Sequence, residues 1–162
     1  MFPSHDVSQS RCFPVTIQPQ TNHPLYPQCA KPALAYQALA EFERAGFPLS
    51  IATFNTNRLH ERCGNQRVWQ FASPINPLPK IVKDLLQCRY VAVVGAPSNL
   101  YELQQLQTLM VSAKNNGAHL TYMSPDLHNP LGHLVNLQMA GALSDTVPTY
   151  LQEVARQLIY RW

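Results

Sequence analysis

The five residues Tyr90-Val91-Ala92-Val93-Val94 constrain the fold more than any other stretch of the chain. They form an apolar run with no alternation between an inward and an outward face, so a strand made from them must be covered on both sides. Helices layered on a sheet provide that cover, which places this strand near the centre of an α/β fold.

The flanking sequence fits the same plan. Gly95-Ala96-Pro97-Ser98 reads as a turn. Leu100, Leu103, Leu106, Leu109, Met110 and Ala113 then recur at helical spacing until Asn115-Asn116-Gly117, and Ala118 to Met123 reads as a further strand. Upstream, Pro32 suits a first helical turn, and Leu34, Ala38, Phe42 and Ala45 form a stripe that stops at Gly46. Leu49 to Phe54 and Arg67 to Ala72 read as strands, and Leu78 to Gln87 as an amphipathic helix. Strand, helix, strand, helix, strand over residues 67–123 is the order of crossover units in a mostly parallel sheet. Residues 124–148 read as irregular, with a short strand or helix at Leu134 to Met139. Thr149 is expected to cap a final helix striped by Leu151, Val154, Ala155 and Leu158.

The expected organisation is a flexible, Pro-rich amino-terminal arm over residues 1–31 and a single α/β domain over 32–162. The arm carries Pro3, Pro14, Pro19, Pro24 and Pro27, although Phe13, Val15, Ile17, Leu25 and Tyr26 can dock as an extended segment. A length of 162 residues with 46% apolar content is enough for a core without disulfide or metal support. The net charge of +3 is mild and the twelve Lys and Arg residues are scattered, which argues against a nucleic-acid partner. The sequence shows neither a secretory leader nor 18 uninterrupted apolar residues, so a soluble, cytoplasmic protein with no membrane partner is expected. Cys12, Cys29, Cys63 and Cys88 contain no CxxC and read as free thiols.

Chemistry is sparse. The turn after Val94 holds one glycine, Pro97 removes a backbone donor and no Lys follows before Lys114, so a phosphate-binding P-loop is not expected. His60 and Cys63 are one close pair where a zinc site uses two, and both fall in a polar stretch that reads as solvated surface. No metal and no cofactor is expected. There is no GxSxG motif, and Cys88, just before the buried strand, reads as inert packing. What remains for an enzyme is the carboxyl end of the sheet around Ser98, Asp126 and His128, where α/β proteins commonly bind ligands.

The polar stretch from Asn55 to Arg67 includes Asn57, Arg58, His60, Glu61, Arg62 and Asn65. Composition alone reads it as a solvated connection.

Ser73-Pro74, Leu85, Tyr90 leading into Gly95, Leu109, Ala113, and Met123 with Pro125 share their spacing with one known family. On these landmarks the chain resembles the SulA cell-division inhibitors from about Leu49 to Pro125. The resemblance implies a RecA-like sheet without a functional P-loop. It also implies a non-catalytic protein of the SOS response to DNA damage, which blocks septation by binding FtsZ and sequestering monomers from polymerisation and GTP turnover. By position it carries Arg67 and Thr53 into the binding surface, while Cys63 and Pro48 depart from the family pattern. Arg and aromatic side chains tend to anchor interfaces, which adds Asn57, Arg58, Leu59, Arg62 and Trp69, with Trp69 equally suited to the core. Turnover by the Lon protease and a homodimer are further implied partners. Two other classes compete: a small α/β enzyme or nucleotide-binding protein using the carboxyl end of its sheet, and a RecA-like accessory factor of DNA repair.

Overall fold

The computed structural model describes residues 12–16 (as backbone), 34–53, 58–70, 83, 87–95, 97 and 99–160. Its strands are β1 (Cys12–Thr16), β2 (Ile51–Thr53), β3 (Val68–Gln70), β4 (Tyr90–Val94), β5 (His119–Ser124) and β6 (Leu137–Ala140). Its helices are α1 (Leu34–Arg44), α2 (Leu59–Arg62), α3 (Leu100–Asn115) and α4 (Leu143–Tyr160). The strands form one sheet in the order β3-β2-β1-β4-β5-β6, and every described pairing is parallel. The expected architecture, an α/β fold with a mostly parallel central sheet flanked by helices, is therefore present.

The unalternating run of β4 explains its position. Val91 and Val93 face one side of the sheet, where Leu120 and Tyr122 of β5 meet Leu106, Leu109, Met110 and Ala113 of α3. Ala92 and Val94 face the other side, where Ile51 and Met123 meet Leu39 and Phe42 of α1 and Val147, Leu151, Val154 and Leu158 of α4. All four of these β4 residues are at most 2% exposed. Each large apolar side chain buried in this way contributes about 1.5–3 kcal/mol relative to exposure.

Local chemistry sets the helix boundaries. The Asn99 side chain accepts a hydrogen bond from Glu102 N at 2.9 Å and caps α3, whose other end breaks at Gly117 in a left-handed conformation (φ 84°). Helix α1 ends before Gly46, as its sequence implies. The final helix begins at Leu143, six residues before the expected cap. Thr149 lies within it and its hydroxyl donates to the Asp145 carbonyl at 2.8 Å, while Pro148 is accommodated inside the first turns. The segment around Leu134 to Met139 resolves into a 3₁₀ turn at Gly132–Leu134 followed by β6.

Two expectations about the amino-terminal half take a different form. Within the arm assigned to residues 1–31, Cys12–Thr16 form β1, registered between its neighbours so that Val15 pairs with Ala52 on one side and Val93 on the other. His60, expected on a solvated surface, is 2% exposed and tucked against the Tyr36 ring, with centroids 4.6 Å apart. The reason is the seating of α2 on α1, which buries one side of a stretch that is polar in composition. The expected helix over residues 78–87 falls largely outside the described residues.

Candidate site at the carboxyl edge of the sheet

In this sheet the chain builds outward from β1 to β3, then crosses back and builds outward in the opposite direction from β4 to β6. The strands that follow β1 and β4 in the chain, β2 and β5, therefore lie on opposite sides of this central pair. The crevice at such a divergence is where open parallel sheets bind ligands.

Several features of this edge suit a ligand. β4 ends in buried Gly95, whose φ of 95° lies in the left-handed region and whose N–H donates to the Met123 carbonyl at 2.8 Å. Asn99 and the amino end of α3 follow, where the first-turn N–H groups and the helix dipole favour an anion. Beside it, β5 ends in a short polar series: Tyr122 and Ser124 are buried on one face of the strand, and Asp126 is exposed just beyond. Burial pushes the Tyr122 phenol above its usual range, the Ser124 side chain pulls it down, and the Asp126 charge pushes it up, so the three are electrostatically joined. The Asp126 carboxylate accepts from His128 N at 3.0 Å, and Asp126 N approaches the Ser124 hydroxyl at 3.5 Å, which fixes this loop. From β6, Gly141 N donates to the Ser124 carbonyl at 3.1 Å, and a side chain at Gly141 (φ 136°) would be strained by its backbone.

Asp126 and His128, singled out in the sequence for an enzyme, therefore stand on this edge. Ser98 lies outside the described residues. Sequence reasoning missed Tyr122, Ser124 and Gly141. Tyr122 read there as an ordinary strand residue and Ser124 as the start of an irregular segment, and the strand that brings Gly141 alongside was not resolved from its weak pattern.

The surface drawn around the polar stretch is more dispersed. Thr53 is 2% exposed at the end of β2 and sits inside the fold. Arg58 and Arg62 are exposed, Leu59 is half-buried and Arg67 is exposed with its carbonyl accepting from Ile51 N at 2.8 Å. Arg58 adopts a left-handed backbone (φ 57°) at the start of α2. Trp69 is half-buried and packs on the α3 side of the core, so the core reading of that residue is the one realised. Asn57 lies outside the described residues. Cys88 is buried and Cys63 half-buried, neither is in a disulfide, and the Cys63 thiol is pushed up by burial against the opposing pull of Arg44 and Arg62. Among the described residues no three His, Cys, Asp or Glu side chains are grouped to hold a metal, and no helix is long and apolar enough to cross a membrane.

The strand order and its reversal between β1 and β4 define a doubly wound, Rossmann-like α/β fold. Solved structures with the same fold are sirtuins. A Sir2 homologue in a mutant form bound to ADP-ribose matches with a TM-score of 0.73 at 15% identity, over 97% of this chain and 98% of that one. A Sir2 complex with 2'-O-acetyl-ADP-ribose and a deacetylated peptide matches at TM-score 0.71 and 15% identity, over 90% and 94%. Sir2Tm bound to a propionylated peptide matches at 0.71 and 14%, over 90% and 93%. No family model and no curated protein matches the chain.

These likenesses overturn the resemblance to SulA. The shared landmark spacings are those of any strand-turn-helix-strand unit with a buried strand, and they carried no information on strand order. With the resemblance fall the SOS-response and septation roles, the FtsZ partner, and the Lon and dimer expectations attached to it. The non-catalytic assignment falls too, because the matched structures are Sir2 enzymes.

Proposed function

We propose that the chain is a small α/β enzyme that binds an ADP-ribose-containing nucleotide at the carboxyl edge of its sheet, between the connections that leave β1 and β4. The observation that carries this reading is the strand order β3-β2-β1-β4-β5-β6 with all strands parallel, which creates a single reversal point at that edge. The ADP-ribose and acetyl-ADP-ribose complexes of the Sir2 structures support the choice of nucleotide.

The residues present fit such a group. Asp126 and Ser124 offer acceptors and a donor of the kind that hold ribose hydroxyls. Phosphate charge would rest on the backbone N–H groups at the start of α3, since residues 95–99 contain neither Lys nor Arg. Gly95, at φ 95°, takes a left-handed turn that other residues rarely adopt. When bound, the nucleotide supplies a ribosyl centre for group transfer. The exposed His128 imidazole at the same edge can take or give a proton at a ring nitrogen.

The test is calorimetric titration of the chain with ADP-ribose, with GTP as the control. Saturable binding of ADP-ribose, reduced in Ser124→Ala and absent for GTP, is the expected result. No heat and no thermal stabilisation at millimolar ADP-ribose would overturn the reading.

A further inference from the structure

The described sheet ends at β6, whose outer edge has no partner strand among the described residues. Asn136 N donates to the Leu120 carbonyl at 2.8 Å, so Asn136 and, two residues on, Gln138 turn their backbone groups toward β5. The alternation along the strand then turns the N–H and C=O of Leu137 and Met139 outward. Leu137, Gln138 and Ala140 are exposed and Met139 is half-buried. Strand edges are normally blunted by charge, proline or a bulge, yet Leu137-Gln138-Met139-Ala140 carries neither charge nor proline.

Beside this edge, on the α4 face of the sheet, lies a cavity of about 720 Å³. Leu137 and Met139 form the part of its floor next to the edge, with His119 of β5 and Tyr90 of β4 further in, and Val154, Arg156 and Gln157 of α4 line its wall. Leu137 is 44% exposed, so the apolar floor is uncovered where it meets the edge. Arg156 is already bonded to Glu153, which leaves no unbalanced charge between them to select an ion.

Edge and cavity together specify what fits. A row of four outward main-chain groups is matched by another extended backbone, whereas a helix has its own groups satisfied. Alternate side chains of a strand laid along β6 fall on the α4 face, beside the cavity, which is how added strands gain affinity from main-chain bonds and specificity from a pocket. The uncharged strand and apolar floor favour an uncharged segment with a large apolar side chain.

We propose that β6 and the cavity beside it bind an extended, uncharged peptide segment of a partner protein. The segment adds to the sheet as a further strand and places a large apolar side chain over Leu137 and Met139. This inference does not rest on the nucleotide reading.

The experiment is titration of the full chain with the peptide acetyl-Ser-Thr-Val-Phe-Val-Thr-Ser-amide, followed by backbone amide NMR shifts and calorimetry. Saturable binding is expected, with the largest shifts at the Leu137 and Met139 amides. N-methylation of one alternate set of peptide amides should abolish binding and of the other set should spare it, because one set alone faces β6. Leu137→Pro, at the first residue of an edge strand where the lost N–H faces outward, should keep the fold and weaken binding at least about tenfold. Gln157→Trp, exposed on the cavity wall, should reduce affinity to that of the peptide with alanine in place of phenylalanine. No saturable binding, equal loss on methylating either set, or shifts centred on the carboxyl edge would each overturn the proposal. So would concentration-dependent pairing of two copies through β6 without peptide, seen by sedimentation.

Discussion

The Asn65 side-chain amide donates to a Glu43 carboxylate oxygen at 3.2 Å and to the Leu39 carbonyl at 3.2 Å, tying the turn after α2 to the last turns of α1. Gln66 N adds two contacts of 3.1 Å to the same carboxylate. Asn65 is 4% exposed, so its amide cannot exchange these partners for water. Asn65→Ala removes both side-chain bonds and should lower stability by about 1–3 kcal/mol, measured by urea denaturation.

His60 gives the fold a pH dependence in the acid range. Burial lowers its pKa from 6.5 to about 4, so the native state holds the imidazole neutral where the unfolded chain has already taken up a proton. Its contribution to stability is complete above pH 6.5, declines as pH falls from 6.5 towards 4, and is constant below that. The full loss is roughly 3 kcal/mol, at 1.36 kcal/mol for each pKa unit. Denaturant midpoints of wild type and His60→Phe between pH 7.5 and pH 4 should diverge in slope, with the variant flatter across that window.

Asn99 links stability to the proposed ligand. Asn99→Ala removes the bond to Glu102 N and should cost about 0.5–2 kcal/mol, while Asn99→Asp should keep the cap and stability. The aspartate variant should nonetheless bind ADP-ribose more weakly, because a fixed negative charge then stands at the helix end. Thermal unfolding and calorimetry on the pair separate the two effects.

Ser124→Ala should weaken ADP-ribose binding by roughly tenfold, equivalent to about 1.4 kcal/mol. Its side chain touches Asp126 N at a long 3.5 Å, so the unfolding temperature should change little.

Much of the architecture was legible because burial leaves a local signature. The run from Tyr90 to Val94 announced a strand covered on both faces, and the Leu100-to-Ala113 stripe announced the helix beside it. β1 was hidden by Pro14, since proline lacks the N–H that a central strand normally uses. Pairing with β2 spans just Val15 and Thr16, so Pro14 has a registered partner on the β4 side alone, at Ala92. β6 was obscure because as an edge strand its residues are mostly exposed and carry no apolar rhythm. Asp126 and His128 could be picked out as polar residues following a core strand. The site around them depends on strand order, which periodicity does not encode, and the seating of His60 depends on a contact with Tyr36 that is 24 positions away in sequence.

β1 also decides how the molecule fails. It joins the two strands β3-β2 to the three strands β4-β5-β6, and its neighbours come from positions 51–53 and 90–94, so neither group can close onto the other until distant parts of the chain have met. Without it, β2 and β4 would each become a bare edge, and β4 is the most apolar strand in the protein. Such an edge recruits strands from other molecules. The first described strand of this chain thus acts as a guard against self-association as well as a structural member.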